Sequence, residues 1–336
     1  MCALHLLIVI MEIYDVVIVG GGPCGLACGI EAKANNLSYL ILEKGNITES
    51  IRRYPVSMTF FSTAEMLEIG RVPFVSLNMR PNRVEALKYY RRVVKHFDLN
   101  LQLFSEVTDI SIAESKGFKV TSTKGEVYAK NVILATGYYD VPRKINVPGE
   151  DLPHVSHYFD EPFKYTNTKV VVVGGANSAI ETALDLYRNG AEVTLVHQFS
   201  TLDKTAKYWI VPDMENRIKE NAVHAIFDAK VTSISPEKVM VQKHGATEVQ
   251  ELEADFVFLM TGYRPDADFL RQIGVKLEGD ALIPAIDKDT FETNVKGVYV
   301  AGSVVGGEET AKIFIENGRE HGKVIIDHIA KSRQLK

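Results

Sequence analysis

The stretch Asp15-Val16-Val17-Ile18-Val19-Gly20-Gly21-Gly22-Pro23-Cys24-Gly25-Leu26-Ala27 decides the fold. A β-branched apolar run feeds a turn with glycines at 20, 22 and 25, and a small-residue helix follows at once. In a strand-turn-helix cradle of this kind Gly20 makes the tight turn, Gly22 lets the backbone approach a pyrophosphate, and Gly25 lets helix and strand pack closely. The helix N-terminus then aims free N–H groups and the positive end of its dipole at the anion. Residues 38–42 are expected as the second parallel strand, ending at Glu43, 23 residues after Gly20, where a carboxylate accepts from both ribose hydroxyls. Together these features predict a dinucleotide site.

The organisation repeats about 150 residues further on. Residues 169–173 read as an apolar strand, Gly174-Gly175-Ala176-Asn177-Ser178-Ala179 opens a helix to about Asn189, and 192–196 is its second strand. Each copy closes on Thr-Gly: a buried strand 131–134 ends in Ala135-Thr136-Gly137, and a strand 255–260 ends in Thr261-Gly262. The fold class expected is α/β with two Rossmann-like dinucleotide-binding domains. The first is discontinuous, residues 11–157 and 285–336, because Gly297-Val298-Tyr299-Val300-Ala301-Gly302 returns to it as a short strand. The second fills 158–284. A single long helix is expected from Thr310 to about Ile329, with Gly318 and Gly322 on one face.

The copies differ at the ribose position. The second carries Val196-His197-Gln198 and no carboxylate, which removes the repulsion that excludes a 2′-phosphate, and His197, Lys204 or Lys207 are candidates to meet that phosphate. NADPH is therefore expected over NADH. Between the cradle and an amphipathic helix over 83–97, residues 45–73 show little periodicity and carry Tyr54-Pro55 and Thr59-Phe60-Phe61, and a long irregular segment in a compact domain reads as functional. A strand is expected over 100–104, short alternating strands through Tyr128, and a helix over 213–221.

Composition sets the outer bounds. At 336 residues, 46% hydrophobic and 24% charged, the chain suits about two domains with real cores. A net charge of −5 and no long basic run argue against a nucleic-acid partner. Three cysteines cannot build a secreted disulfide framework and fit a reducing, cytoplasmic compartment. The apolar residues 1–10 lack the basic flank and cleavage site of a signal peptide and are too short to cross a bilayer, so they are expected to be an upstream-start artefact or a disordered tail rather than an anchor, with no role for Cys2 or His5 and no membrane partner. No His/Cys/Asp cluster has metal-ligand spacing.

Taken together, Gly20-x-Gly22-x-x-Gly25 with Glu43, the two Thr-Gly closures, the second glycine turn and Val300-Ala301-Gly302 resemble the two-domain FAD/NAD(P)H reductases of the thioredoxin-reductase type, over nearly all of residues 12–330. Closer still, Gly20 to Leu26, Phe60-Phe61-Ser62 with Leu67-Glu68-Ile69-Gly70, Ala135 to Asp140, Val155 to Phe159 and Ile313 to Arg319 resemble the YpdA-type bacillithiol-disulfide reductases. The resemblance implies FAD, NADPH, reduction of a low-molecular-weight thiol disulfide and a homo-oligomer. It implies flavin contacts at Gly20, Gly22, Pro23, Cys24, Gly25 and Glu43, then at Tyr54, Thr59, Val107, Thr136 and Gly137, and finally at Gly302, Ser303 and Ala311. For the nicotinamide nucleotide it implies Gly174, Ala176, Asn177, Ser178, His197, Thr261 and Gly262. Two departures stand out: residues 150–173 contain no cysteine, where thioredoxin reductases carry a redox Cys-x-x-Cys, and Ser303 replaces the usual ribityl aspartate after Gly302.

Cys24 is the candidate catalytic residue. A helix N-terminus lowers a thiol pKa, and the thiolate is the species that attacks disulfides. The same N-terminus is to hold the pyrophosphate, whose charge opposes thiolate formation, so Cys24 either attacks the substrate or is a small residue tolerated in the turn. Cys28, one turn later, is expected to be buried packing. His154 and His157 read as crossover-loop residues, and Trp209 as packing at a helix start or a shield for the nicotinamide pocket. The rival readings are an NADPH reductase for a small redox protein such as ferredoxin, which the missing dithiol permits, and a flavin-dependent monooxygenase.

Overall fold

Strand β1 (Ile13–Val19) is buried from Asp15 onward, as a parallel strand covered on both faces must be. It feeds α1 (Pro23–Ala34), β2 (Tyr39–Leu42), a one-turn helix α2 (Glu49–Arg52), α3 (Arg83–Phe97) and β3 (Leu101–Gln102). An antiparallel meander follows: β4 (Val107–Ala113), β5 (Gly117–Ser122) and β6 (Gly125–Leu134). The sheet order is β3-β2-β1-β6-β5-β4, with Val17 set opposite Leu40 on one side and Val132 on the other. Val298–Val300 completes it by pairing in parallel with the end of β6. The computed structural model describes residues 13–114 and 116–334 of the chain, so the apolar residues 1–10, with Cys2 and His5, lie outside the described residues.

The second unit repeats the plan. Strands His224–Ile226, Glu192–Val196, Lys169–Val173, Phe256–Leu259 and Val155–Ser156 lie side by side in that order, all parallel. Helix α4 (Asn177–Arg188) connects Lys169–Val173 to Glu192–Val196, and an antiparallel meander over 229–253 forms a separate three-stranded sheet. The α/β class and the two Rossmann-like units are thus as expected. The two crossovers between units pair with each other, Val141–Pro142 against Tyr263–Arg264.

Several expectations change. Val155–Ser156 is an edge strand of the second sheet, and Leu270 and Val275 are buried in the first unit's core beside Val17 and Val120. The expected strand 100–104 is only two residues long. The helix expected over 213–221 starts at Val211, because Pro212 is tolerated in a first turn, where its missing N–H is not needed. The long helix from Thr310 is two pieces, Ile315–Gly318 and His321–Gln334. The later start follows from Asn317: its Oδ1 accepts from the Phe314 N–H at 2.8 Å and its Nδ2 donates to the Lys312 carbonyl at 3.0 Å, which begins the first piece at Ile315 and leaves 310–313 as a loop. Gly322 packs the second piece onto α1: a Cβ there would lie 2.9 Å from the Cys28 nitrogen. No helix among the described residues is long and apolar enough to cross a membrane.

Candidate active site

The first glycine turn is built to receive an anion. Gly22 caps α1 with no side-chain hydrogen bond, Pro23 opens the helix, and no acidic residue stands in its first turn. A Cβ added at Gly22 would meet no atom within 4 Å, whereas one at Gly25 would collide with the Gly20 carbonyl. Open space therefore lies directly above unpartnered helix amides, which is the requirement for a bound pyrophosphate. Glu43 stands beside the turn, buried, its Oε2 accepting from the Gly21 N–H at 2.6 Å and its Oε1 from the Gly45 N–H at 2.9 Å. Burial pushes its carboxyl up while the two amides pull it down. Each carboxylate oxygen keeps a second lone pair for a ribose hydroxyl.

From this turn a cavity of about 450 Å³ crosses the seam between the two units. Gly20, Gly22, Pro23, Cys24 and Glu43 line its first end. Tyr54, Thr59, Val107, Thr136 and Gly137 continue it, and Gly302 and Ser303 close it. From the second unit, Asn177 and Ser178 reach the same space.

The remaining expected residues lie elsewhere. Gly25 is spent on the contact between helix and strand. Ala311 is exposed in the loop that replaces the expected helix turn, and Ile313, Phe314 and Ile315 line the cavity in its place. Thr261 and Gly262 belong to the paired crossovers: Thr261 Oγ1 donates to the Arg143 carbonyl at 2.6 Å, and the Gly262 carbonyl accepts from the Arg143 N–H at 2.9 Å. Gly174, Ala176 and His197, at the second turn, are not among the residues that line the cavity. There His197 repeats the placement of Glu43. A Cβ on Gly21 would come within 2.9 Å of Glu43, and one on Gly175 would run into the His197 ring. The imidazole is buried, its Nε2 has no partner among the described residues, and burial pulls its pKa down, so a neutral ring stands where the first unit has a carboxylate. Lys204 is exposed, and Lys207 is committed elsewhere.

Lys207, expected as a candidate for the 2′-phosphate, instead lines the cavity beside Glu181, which the sequence did not single out. It is buried, with Nζ 2.5 Å from Glu181 Oε1 and 2.8 Å from the carbonyl of Thr59 in the first unit. Burial raises the Glu181 carboxyl, and Lys207 pulls it back. A signal for Glu181 was present: it follows Asn177 by one helical turn, and residues four apart share a helix face. The loop carrying Thr59 is held to the second unit twice more, by Ser57 Oγ on Asp185 and by the Val56 N–H on the Asp160 carbonyl at 2.8 Å. Around the crossovers, Tyr139 packs against Tyr54, Tyr158 and Tyr263, and Arg53 lies over Tyr158 while pairing with Asp140 at 2.6 Å. His157 lies 3.3 Å from Glu150 in the crossover, and no histidine lines the cavity among the described residues.

Cys24 is partly exposed toward the cavity and otherwise walled in. A Cβ on Gly302 would lie 2.9 Å from its Sγ, and one on Gly318 would lie 3.0 Å away, so the thiol occupies the niche that the two glycines leave. Burial pushes the thiol up to about 12. Cys28 is fully buried, as expected of a packing residue.

Comparison with known proteins agrees with this architecture. The model of the pyridine nucleotide-disulphide oxidoreductase family matches residues 17–302. The bacilliredoxin reductase Bdr of Bacillus subtilis is 42% identical over 315 residues, covering 94% of this chain and 97% of that one. Two solved structures, the bacillithiol disulfide reductases Bdr (YpdA) of Bacillus cereus and Staphylococcus aureus, superpose with TM-scores of 0.92 and 0.93. Each is 39% identical and covers 96% of this chain and 100% of its own. The chain belongs to the pyridine nucleotide-disulphide oxidoreductase family, whose members work with a flavin and a pyridine nucleotide, and within it to the Bdr (YpdA) group.

Proposed function

We propose that the chain is an FAD-dependent reductase that oxidises NADPH and reduces a low-molecular-weight disulfide, bacillithiol disulfide being the substrate named for its relatives from B. cereus and S. aureus. The overall change is NADPH + H⁺ + RSSR → NADP⁺ + 2 RSH. The observation that carries this reading is one continuous cavity that joins the first glycine turn, a cysteine thiol and the opening residues of α4. FAD bound there would accept the hydride of NADPH and return the electron pair to the disulfide.

The chain's own residues would divide the work. Gly22 and the amides of α1 receive the pyrophosphate, and Glu43 receives the adenosine ribose. Asn177, Ser178 and Glu181 face the nicotinamide side, and the neutral His197 admits the 2′-phosphate of NADPH. Cys24 is the one thiol among the described residues that lines the cavity. We assign to it the attack on one substrate sulfur, which forms a mixed disulfide and releases the first thiol. Reduction of that mixed disulfide releases the second. A thiol pushed up to about 12 is protonated at neutral pH, so the attack carries its proton to the departing thiolate, which leaves as the first thiol. Free thiols at Cys24 and Cys28 fit a reducing, cytoplasmic compartment.

The test is anaerobic. The yellow holoprotein is reduced with one equivalent of NADPH, bacillithiol disulfide is added to wild type and to Cys24→Ala, and flavin absorbance is followed. Reoxidation of wild type alone, with equal flavin content in both proteins, is the expected result. Reoxidation of both would remove Cys24 from the path. Reoxidation of neither, with ferredoxin restoring it, would overturn the disulfide assignment.

A further inference from the structure

At the seam beside the cavity stands a cation with no carboxylate. Lys44, Lys207 and Arg264, the cations that line the cavity, are already paired with Asp140 at 2.8 Å, Glu181 at 2.5 Å and Glu308 at 3.3 Å. Arg80 is not. Among the described residues its only hydrogen bond is from Nε to the Phe61 carbonyl, at 2.8 Å, and both terminal nitrogens of the guanidinium are left over.

The group is nevertheless held in place. Its carbon lies 4.6 Å from the centre of the Trp209 ring, 5.7 Å from Tyr208 and 5.9 Å from Phe61. Phe61 itself stacks on Trp209, with centroids 5.8 Å apart and planes at 17°, and Tyr208 meets Trp209 edge-on. Arg80 and Phe61 come from the first unit, Tyr208 and Trp209 from the second, so the arrangement exists only when the two are docked. Phe61 lines the cavity and is 53% exposed; Tyr208 is 66% exposed. A guanidinium whose stem is fixed and whose fork is free recognises a carboxylate bidentately at little further entropic cost. The exposed aromatic faces beside it suit the apolar or ring portion of the same ligand.

We propose that Arg80, on its shelf of Trp209, Phe61 and Tyr208, binds a carboxylate of the acceptor disulfide and so sets a preference for acidic disulfides. This rests on the disulfide-reductase reading above. Arg80 acts in specificity and takes no part in the chemistry, and the other source of an anion at this seam is the 2′-phosphate of NADPH.

Trp209 is the single tryptophan of the chain, so its fluorescence reports on this site without any turnover. The probes are 3,3′-dithiodipropionate, a dicarboxylate, and bis(2-hydroxyethyl) disulfide, its neutral counterpart, with 2′-phospho-AMP for the nucleotide. In wild-type holoprotein dithiodipropionate should quench Trp209 saturably. Arg80→Met should weaken that binding at least tenfold and lower the kcat/KM ratio of dithiodipropionate to the neutral disulfide by the same factor, with Arg80→Lys recovering part of the preference. An Arg80 that merely clamps the seam would depress both acceptors and leave the ratio unchanged, which overturns the proposal. Loss of 2′-phospho-AMP quenching in Arg80→Met, with dithiodipropionate unaffected, also overturns it. If neither disulfide is reduced but dithiodipropionate still quenches in an Arg80-dependent way, the carboxylate subsite stands and the reductase reading falls.

Discussion

The ammonium of Lys207, in the second unit, donates to the carbonyl of Thr59, in the first, at 2.8 Å, and the same ammonium neutralises Glu181 in the cavity wall. One side chain therefore couples the domain seam to the electrostatics of the site.

Lys207→Met should leave the Glu181 carboxylate with no counter-charge and free the Thr59 loop. We expect a loss of roughly 2 kcal/mol, less than for a fully buried pair because the Glu181 side chain keeps 26% of its exposure. The double variant Lys207→Met, Glu181→Gln should recover part of that loss, since the stranded charge goes with it. Urea midpoints of the three proteins measure both effects; a single variant as stable as wild type would show that the pair holds nothing together.

At position 197 the expected change is in cofactor choice. His197→Glu would restore in the second unit the acid that Glu43 supplies in the first, against Gly175 as Glu43 lies against Gly21. The kcat/KM ratio of NADPH to NADH should fall by about tenfold or more, because a carboxylate repels the 2′-phosphate and accepts from the free ribose hydroxyl. Steady-state rates with the two nucleotides decide it, and an unchanged ratio would place the selectivity elsewhere.

His321 makes acid stability legible. Its Nδ1 accepts from the Gly302 N–H at 3.2 Å and its ring stacks on Phe291 at 4.2 Å, which requires a neutral imidazole; burial pulls its pKa from 6.5 down to about 4. The unfolded chain binds this proton near pH 6.5 and the folded chain only near 4, so stability is lost as pH falls through that window and levels off below it. His321→Asn keeps an acceptor and removes the titration. Denaturation midpoints of wild type should therefore fall more steeply than those of the variant between pH 6.5 and 4, by a slope approaching one proton. Parallel curves would mean that His321 does not titrate with folding.

Much of this molecule is legible in contiguous residues. The boundaries of α1 and α3 follow from a proline at a helix start and an Asn82–Glu85 capping box, and β1 and 169–173 follow from β-branched runs that parallel strands bury on both sides. The duplicated plan follows from the same local signals met twice. The start of the helix at Ile315 rather than Thr310 is not legible from periodicity, because it is set by Asn317 side-chain bonds to Phe314 and Lys312, and Asn favours caps over helix interiors.

The sequence by itself determined that there are two glycine turns of one plan and that the first is followed by an acid, Glu43, where the second has His197, because each turn is a local strand-turn-helix whose physics is complete within some 30 residues. Only the tertiary structure decided what lies between them. Lys207 meets Thr59 across 148 residues of chain, Arg80 meets Trp209 across a comparable separation, and Cys24 is enclosed by Gly302 and Gly318. Such partners are selected by how two folded surfaces dock, and side chains brought together by docking carry no mark of one another in the local pattern of the chain.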